Sequence, residues 1–201
     1  TYFKPELPRL ERVIFSVVAA PTTLLTQLLG GEVDVVFSLT AGGAERVRAH
    51  EDLDLITIST LGYSYLCWNL EDPLFSDVRV RRALAMAVDR QALVDTVLRG
   101  RGRVAVGPVT TDIWAFNEDL EPLPHDPRRA RELLAEAGWS DGDGDRVLER
   151  GDAPFRFELI TNSESETRQD VCLLIAEQLA RIGVEAEPRF VEHLLSICDR
   201  F

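Results

Sequence analysis

Five acidic residues between positions 141 and 152 have a spacing that could bind a divalent cation. They are Asp141, Asp143, Asp145, Glu149 and Asp152. Alternate carboxylates in a short loop can converge on a hard cation such as Ca²⁺. However, Arg146 stands where the sharp turn of a calcium loop needs glycine, and Asp152 stands where a bidentate glutamate is expected. The sequence therefore favours a solvated turn rich in Asp and Gly, and the alternative is a calcium loop at Asp141, Asp143 and Asp145.

Catalytic chemistry has little support in the sequence. The three histidines, His50, His125 and His193, are far apart, and none has a helical partner at the spacing of a metal site. The chain contains no G-x-S-x-G motif, and no cysteine stands beside an evident base. We therefore expect a protein that is not an enzyme and that carries no cofactor.

Two groups of arginines could meet an anion or a partner. They are Arg79, Arg81 and Arg82 near a predicted helix start, and Arg99, Arg101 and Arg103, which alternate with glycines. Cations near a helix N-terminus oppose the helix dipole, so pairing with acids such as Asp77 is favoured over a docking role. The second group lacks the strand-to-helix turn of a phosphate site, which favours a solvated turn.

Composition restricts the partners of the protein. The chain has 201 residues and a net charge of −12, so clustered positive charge for binding nucleic acid or an anionic membrane is not expected. Its cysteines, Cys67, Cys172 and Cys198, are an odd number without close spacing, which favours three buried thiols over one disulfide with a spare thiol. No apolar run approaches the roughly 20 residues that span a bilayer. The chain begins at Thr1 without Met, so we expect a piece of a longer protein.

The first third of the chain alternates strand and helix patterns. Strands are predicted at residues 13–18, 33–37, 53–60 and 63–69. Leucines at helical spacing predict a helix at residues 24–29, and Thr40 could cap a second helix that reaches about His50. This order is typical of an α/β fold with mixed sheets flanked by helices.

Amphipathic helices are the strongest pattern in the rest of the chain. Ser76 or Asp77 is predicted to cap a helix whose buried stripe is Val80, Ala83, Leu84, Ala87 and Val88. Asp89 is predicted to cap a second helix that ends at Gly100 and points Leu93, Val94, Val97 and Leu98 inward. Asp126 and Pro127 begin a third, with Ala130, Leu133, Leu134 and Ala137 buried before Gly138 and Trp139.

The remaining elements surround one long irregular segment. Residues 101–121 have no periodic pattern, and irregular segments of this length are often functional. Strands are predicted at residues 155–159 and 184–187, with a helix at residues 171–182 between them. A last helix is predicted at residues 194–201.

Several segments together resemble a known family. They are Tyr2-Phe-Lys-Pro, Leu10-Glu-Arg-Val-Ile-Phe, residues 28–36 around Gly31-Glu-Val-Asp, Gly62-Tyr-Ser-Tyr-Leu-Cys-Trp-Asn69, residues 75–102, residues 126–139 followed by Asp141-Gly-Asp-Gly-Asp, residues 155–161 and residues 178–184. In this order they resemble the extracellular solute-binding proteins of the peptide and nickel group, the receptors of ABC importers. Residues 75–102 are the strongest segment.

The resemblance implies a fold and a division of the chain. It implies an α/β fragment of a two-lobed, type II periplasmic-binding-protein fold. Residues 1–68 would be the end of the first lobe with its connecting strand, and residues 69–201 would be most of the second lobe. The residue that pairs with the α-amino group of a bound peptide is expected beyond Phe201.

The resemblance also implies a function without catalysis. Oligopeptides or dipeptides would be captured in a cleft between the lobes, which close by a hinge, and delivered to an ABC permease. Alternatives on the same scaffold are carriers of nickel chelates or oligosaccharides, and sensory or chaperone-like binding modules. The location would be periplasmic or extracellular, and a lipid anchor would hold the full-length protein to the membrane.

The resemblance places five candidate ligand-binding residues near the lobe boundary and in the long irregular segment. They are Tyr63, Tyr65, Trp68, Asn69 and Trp114. Aromatic side chains near a hinge can stack on a ligand, whereas the alternative is a place in the core. We also expect strand edges without partners and hence self-association of the chain.

Overall fold

The chain forms helices and short sheets, and the computed structural model describes residues 9–58 and 61–192. In the described residues the helices are α1 (Pro21–Leu29), α2 (Ala41–Arg48), α3 (Val78–Ala87), α4 (Arg90–Thr96), α5 (Pro127–Glu136) and α6 (Glu166–Ala180). The strands are β1 (Glu149–Arg150), β2 (Ala153–Pro154), β3 (Arg156–Asn162) and β4 (Glu185–Val191). The chain separates into two compact units, Thr1–Ile58 and Ser59–Phe201. The lobe boundary at residues 68 and 69 stays a prediction.

The first unit is built on two helices. Leu25 and Leu28 of α1 pack with Val47 of α2 in a small core. Thr40 begins α2 as predicted, because its hydroxyl oxygen accepts a hydrogen bond of 3.1 Å from the Gly43 N–H. Both predicted helices of this unit are therefore confirmed.

The strands predicted before residue 70 are wrong where the structure describes them. Residues 13–18, 33–37, 53–58 and 63–69 contain no strand. Their β-branched and aromatic side chains favour strands only when a neighbouring strand supplies the ladder of hydrogen bonds. Within the described residues these segments have no such neighbour, and many of their apolar side chains are exposed.

Three aspartate caps set the helices of the second unit. Asp77, Asp89 and Asp126 each precede a helix, and their carboxylates accept backbone N–H bonds of 2.8–2.9 Å from the first turn. The caps at Asp89 and Asp126 are confirmed, and of the two alternatives Ser76 and Asp77 the structure has Asp77. The second helix is shorter than predicted, since α4 ends at Thr96, and only Val94 of its predicted inward set is fully buried.

The predicted apolar stripes form one core. Val80, Ala83, Leu84 and Ala87 of α3 are at most 2% exposed, and they share one core with buried residues of α5, α6 and the strands. The α5 stripe is Ala130, Leu133, Leu134 and Ala137, all buried. Gly138 then takes a φ of +86°, and the Trp139 N–H donates to the Leu134 carbonyl at 3.0 Å, which closes the helix as predicted.

The sheet of this unit is a parallel pair. β3 pairs with β4 from Arg156 opposite Glu185 to Asn162 opposite Val191, and α6 connects the two strands. β1 and β2 form a separate antiparallel pair after the acidic turn. The strands at residues 155–159 and 184–187 and the helix between them are thus confirmed, with shifted ends. The helix predicted at residues 194–201 lies outside the described residues.

Candidate functional site

Tyr63 and Tyr65 form an exposed aromatic pair. Their ring centroids are 5.7 Å apart, with the ring planes at 44°. Tyr63 is 44% exposed and Tyr65 is 75% exposed. The two rings therefore offer an accessible aromatic surface, as their candidate role requires.

Trp68 belongs to the core of the second unit. Its ring centroid lies 4.9 Å from that of Phe75 and 5.9 Å from that of Phe157, the second contact being edge-to-face. Phe75 and Phe157 contact each other at 5.2 Å, so the three rings form one cluster. Trp68 is half-buried against that core. These contacts attach Trp68 to the core.

Asn69 builds the turn that follows. Its side-chain oxygen accepts the Glu71 N–H at 3.1 Å, and its backbone carbonyl accepts the Asp72 N–H at 3.3 Å. Asp72 continues the turn by accepting the Leu74 N–H at 2.8 Å. One acceptor of the Asn69 amide is therefore already used inside the chain.

Trp114 is the most exposed of the candidates, at 96%. It lies in the irregular segment 101–121, inside the turn that the Phe116 N–H closes by donating to the Ile113 carbonyl at 2.9 Å. Among the described residues, no ring contact joins Trp114 to either tyrosine. The structure thus brings together Tyr63 and Tyr65, joins Trp68 to the core, and leaves Trp114 separate.

The acidic turn uses its carboxylates on its own backbone. Asp141 accepts the Gly144 N–H at 2.7 Å and the Arg146 N–H at 3.1 Å. Asp143 accepts the Asp145 N–H at 3.0 Å, and Asp145 accepts the Val147 N–H at 2.7 Å. Arg146 has a φ of +76°, so the turn adopts the left-handed conformation at that position even without glycine. These bonds are typical of the solvated Asp/Gly turn that the sequence favours.

Only part of the predicted calcium set converges. Within the described residues, the carboxylate oxygens of Asp141, Asp143 and Glu149 lie within 4.8 Å of one another. Asp145 and Asp152 are outside this group, and Glu149 accepts a hydrogen bond from the Gly142 N–H. Three largely exposed carboxylates are few for a cation that takes six to eight oxygens. The calcium alternative stays a prediction with a reduced donor set.

The arginines after Asp77 are held by local contacts. Arg79 binds the Asp77 carboxylate through Nε at 3.1 Å and Nη2 at 2.6 Å, and its Nη1 donates to the Glu136 carbonyl at 2.6 Å. Arg81 donates to the carbonyls of Phe75 and Ser76 at 2.7 and 2.8 Å. The hydrogen bonds from Arg79 lower the pKa of Asp77 to about 2. The predicted structural pairing of Arg79 is therefore confirmed, and Arg82 remains exposed.

The two cysteines in the described part of the chain lie in different surroundings. Cys172 is buried, its Sγ lies 3.3 Å from the Leu159 carbonyl, and burial raises its pKa to about 11. Its thiol stays protonated at neutral pH, whereas a nucleophilic cysteine needs a thiolate. Cys67 is free and exposed, which corrects the prediction of three buried thiols. Cys198 lies outside the described residues.

A cavity lined by none of these candidate residues lies in the second unit. It has a volume of about 300 Å³ and is lined by residues that include Ala87, Asp89, His125, Arg131, Leu174 and Gln178. These residues come from four helices and a loop, so no local pattern predicts the cavity. The only local signals were the Asp89 cap and His125 beside the Asp126 cap.

No helix in the described residues is both long and apolar enough to cross a bilayer. This agrees with the absence of a long apolar run in the sequence.

The chain is similar to several known proteins. The family described as bacterial extracellular solute-binding proteins, family 5 Middle, matches residues 1–196. Oligopeptide-binding protein AppA of Bacillus subtilis is 33% identical over 187 residues, which are 92% of this chain and 34% of AppA. Heme-binding protein A of Haemophilus influenzae is 29% identical over 187 residues, 93% of this chain and 32% of that protein. Glutathione-binding protein GsiB of Salmonella typhimurium is 31% identical over 185 residues, 92% and 34% of the two chains.

The fold is similar as well. The structure of AppA from Bacillus subtilis in complex with a nonapeptide superposes with a TM-score of 0.80 at 32% identity, covering 91% of this chain and 36% of that chain. The chain thus spans about a third of the length of the relatives that it matches.

The contact between Arg79 and Asp77 predicts a measurable titration. We expect NMR titration to give an Asp77 pKa of about 2, and the Arg79→Gln variant to raise it towards the ordinary 3.8. Because the pKa is lower in the folded chain, the stabilisation by this carboxylate is present above about pH 4 and is lost as the pH falls towards 2. Arg82→Gln, an exposed change in the same helix, should leave the Asp77 pKa unchanged. An Asp77 pKa near 3.8 in the unaltered chain would contradict the contact.

The acidic turn predicts a negative result with calcium. Adding Ca²⁺ should produce neither saturable heat nor a shift of the thermal midpoint, because the converging oxygens already accept backbone hydrogen bonds. The Asp143→Asn variant has one converging charge fewer, so it should bind no Ca²⁺ either and give the same result. Saturable heat in the unaltered chain that Asp143→Asn abolishes would instead establish a calcium site.

Proposed function

Because this chain belongs to the bacterial extracellular solute-binding proteins of family 5, we propose that the whole protein captures oligopeptides or dipeptides and delivers them to an ABC permease. Membership confirms the resemblance inferred from the sequence. The superposition on AppA confirms the α/β fold expected for a periplasmic binding protein. The capture of peptides is the step beyond these findings.

The names of the relatives support a peptide ligand. AppA is an oligopeptide-binding protein, and its structure holds a nonapeptide. GsiB binds glutathione, which is itself a small peptide. Heme-binding protein A, at 29% identity, shows that a relative of similar distance can carry a different ligand. The peptide proposal therefore needs a direct measurement of ligand binding.

We propose that the protein acts by binding alone. Members of the family are binding proteins rather than enzymes. In the described residues, burial keeps the Cys172 thiol protonated at neutral pH by raising its pKa to about 11. The acidic turn uses its carboxylates as hydrogen-bond acceptors for its own backbone. These features suit a scaffold and supply no nucleophile–base pair.

Tyr63 and Tyr65 are the residues that we propose to contact the ligand. Their rings are exposed and adjacent, so a peptide could stack on them without displacing core side chains. Trp68 and Asn69 support them from the following residues, through the aromatic cluster and the turn. Trp114 is exposed enough to serve as a second, separate contact.

The location and the partners follow the family. The family is one of extracellular solute-binding proteins, so the site of action lies outside the cytosol. We propose an ABC permease as the membrane partner and a lipid anchor on the whole protein. Uptake of peptide by cells that depend on this protein would test both together.

Peptide binding can be tested on the whole protein by calorimetry with a peptide library. We expect saturable binding, and we expect Tyr65→Ala to lower the affinity by roughly 2- to 10-fold, the usual value of one aromatic contact. Tyr65→Phe should bind nearly as well, because it keeps the ring. Phe190→Ala removes a partly exposed ring from β4 and should leave the affinity unchanged.

The possible results separate the function from the site. Failure of every peptide to bind, with uptake of peptides unaffected by deletion of the protein, would refute the peptide proposal. Saturable peptide binding that Tyr65→Ala leaves unchanged would refute only the assignment of the tyrosines. Turnover of a bound peptide would refute the proposal that binding is the whole activity.

We also propose that this 201-residue chain associates with itself through its first unit. Apolar side chains of the segments once predicted as strands are exposed there, with Val17 at 100% and Phe37 at 89%. Within the described residues these segments have no strand partner. Exposed apolar segments with free backbone groups are templates for pairing between chains.

Light scattering over a wide range of concentrations tests this association. The mean mass should rise with concentration, and the double change Phe15→Ser and Phe37→Ser should reduce the rise because it removes exposed rings. The matched control is Trp114→Ser, which removes a similarly exposed ring from the second unit and should not reduce the rise in mean mass. A mass that stays at one chain at all concentrations would contradict the proposal.

A further inference from the structure

The cavity missed by the sequence analysis lies where four helices of the second unit meet. It is formed by the end of α3 at Ala87, the start of α4 at Asp89 and Ala92, the start of α5, and α6 at Leu174 and Gln178. Its volume of about 300 Å³ is at the lower end of the range for small-molecule sites. It shares no residue with the proposed ligand contacts at Tyr63 and Tyr65.

Hydrogen bonds between elements hold the walls of the cavity. The Asp89 N–H donates to the side-chain oxygen of Gln178 at 2.7 Å, and Gln178 is only 6% exposed. The Asp89 carboxylate accepts the Ala92 N–H at 2.9 Å, which fixes the start of α4. The Asp126 N–H donates to the Met86 carbonyl at 2.9 Å, which ties the start of α5 to α3. The cavity is therefore largely preformed, and a ligand would not need to order it.

Apolar groups line much of the cavity. Ala87, Ala92, Pro127 and Leu174 contribute to the lining, and Ala87 is almost fully buried. An apolar body of a few carbon atoms would leave water by entering this space, which favours binding.

One cation on the lining is not neutralised. Arg131, an exposed residue, donates through Nη2 to the Arg181 carbonyl at 2.9 Å, and in the described chain no carboxylate lies within salt-bridge distance of it. Arg181 binds the Glu177 carboxylate at 2.6 Å, and the Asp89 carboxylate lies 3.4 Å from Nδ1 of His125. A guanidinium with free N–H groups is suited to a planar carboxylate.

We propose that this cavity is a second binding site, for a small monocarboxylate with an apolar body. The carboxylate would bind Arg131, and the apolar body would lie against Ala92 and Leu174. This site goes beyond the proposed capture of peptides, since none of its residues is among the proposed peptide contacts. Its occupancy would not require the peptide site.

Phenylacetate is a suitable probe, because it joins one carboxylate to a compact apolar ring. Titration of the 201-residue chain, followed by ¹H–¹⁵N NMR, should shift the backbone signals of Ala92, Leu174 and Gln178 saturably. A dissociation constant of about 1 mM is expected for a ligand of this size. Phenylacetamide, the neutral analogue of the same shape, should bind about tenfold more weakly, since a hydrogen bond to a charged group is lost.

Two arginine variants on α5 localise the charge contact. Arg131→Gln should raise the dissociation constant for phenylacetate about tenfold and should leave that for phenylacetamide unchanged. Arg128→Gln, an exposed change on the same helix, should alter neither constant. Saturable shifts confined to the cavity and sensitive to Arg131→Gln would establish the site. Shifts elsewhere, equal binding of acid and amide, or no saturable shift would overturn the proposal.

Discussion

Helices α3 and α5 meet through side chains that have almost no contact with solvent, among them Val80, Leu84 and Leu134. The Asp126 N–H bond to the Met86 carbonyl joins the start of α5 to α3. Close-packed side chains cannot shift independently. This packing therefore supports both the cavity walls and the core against which Trp68 packs.

The sequence predicts these helices because their signals are local. An aspartate cap and an apolar stripe lie within a few residues of each other, as with Asp77 and Leu84, and the core selects the same stripe. The strands are less predictable, because a strand needs a partner from elsewhere in the chain. β3 and β4 have each other, whereas residues 13–18 have no such partner in the described residues. Family membership could be inferred from the order of many weak motifs, because that order is visible in the sequence without knowledge of any tertiary contact.

A candidate site could be predicted from the sequence when its residues are close together in the chain. Tyr63 and Tyr65 share one segment, so their proximity followed from sequence. The place of Trp68 did not, since its partner Phe157 is far away in the chain. The acidic turn could be identified as a turn, but its spacing could not distinguish carboxylates that accept backbone N–H groups from carboxylates that bind calcium. The cavity at Arg131 required the packing of four helices and was outside the reach of any local pattern.

A binding protein gains affinity when its contact groups are held in place before the ligand arrives, because the loss of conformational entropy is then smaller. The exposed tyrosines meet part of this condition. The ring of Trp68, a few residues later, is fixed between Phe75 and Phe157, and the turn at Asn69 fixes the chain direction after it. Aromatic rings also lose few rotamers on contact, since they have two side-chain torsions. The core around Trp68 thus stands beside an exposed pair of aromatic rings, which is the arrangement that the proposed ligand contact at Tyr63 and Tyr65 requires.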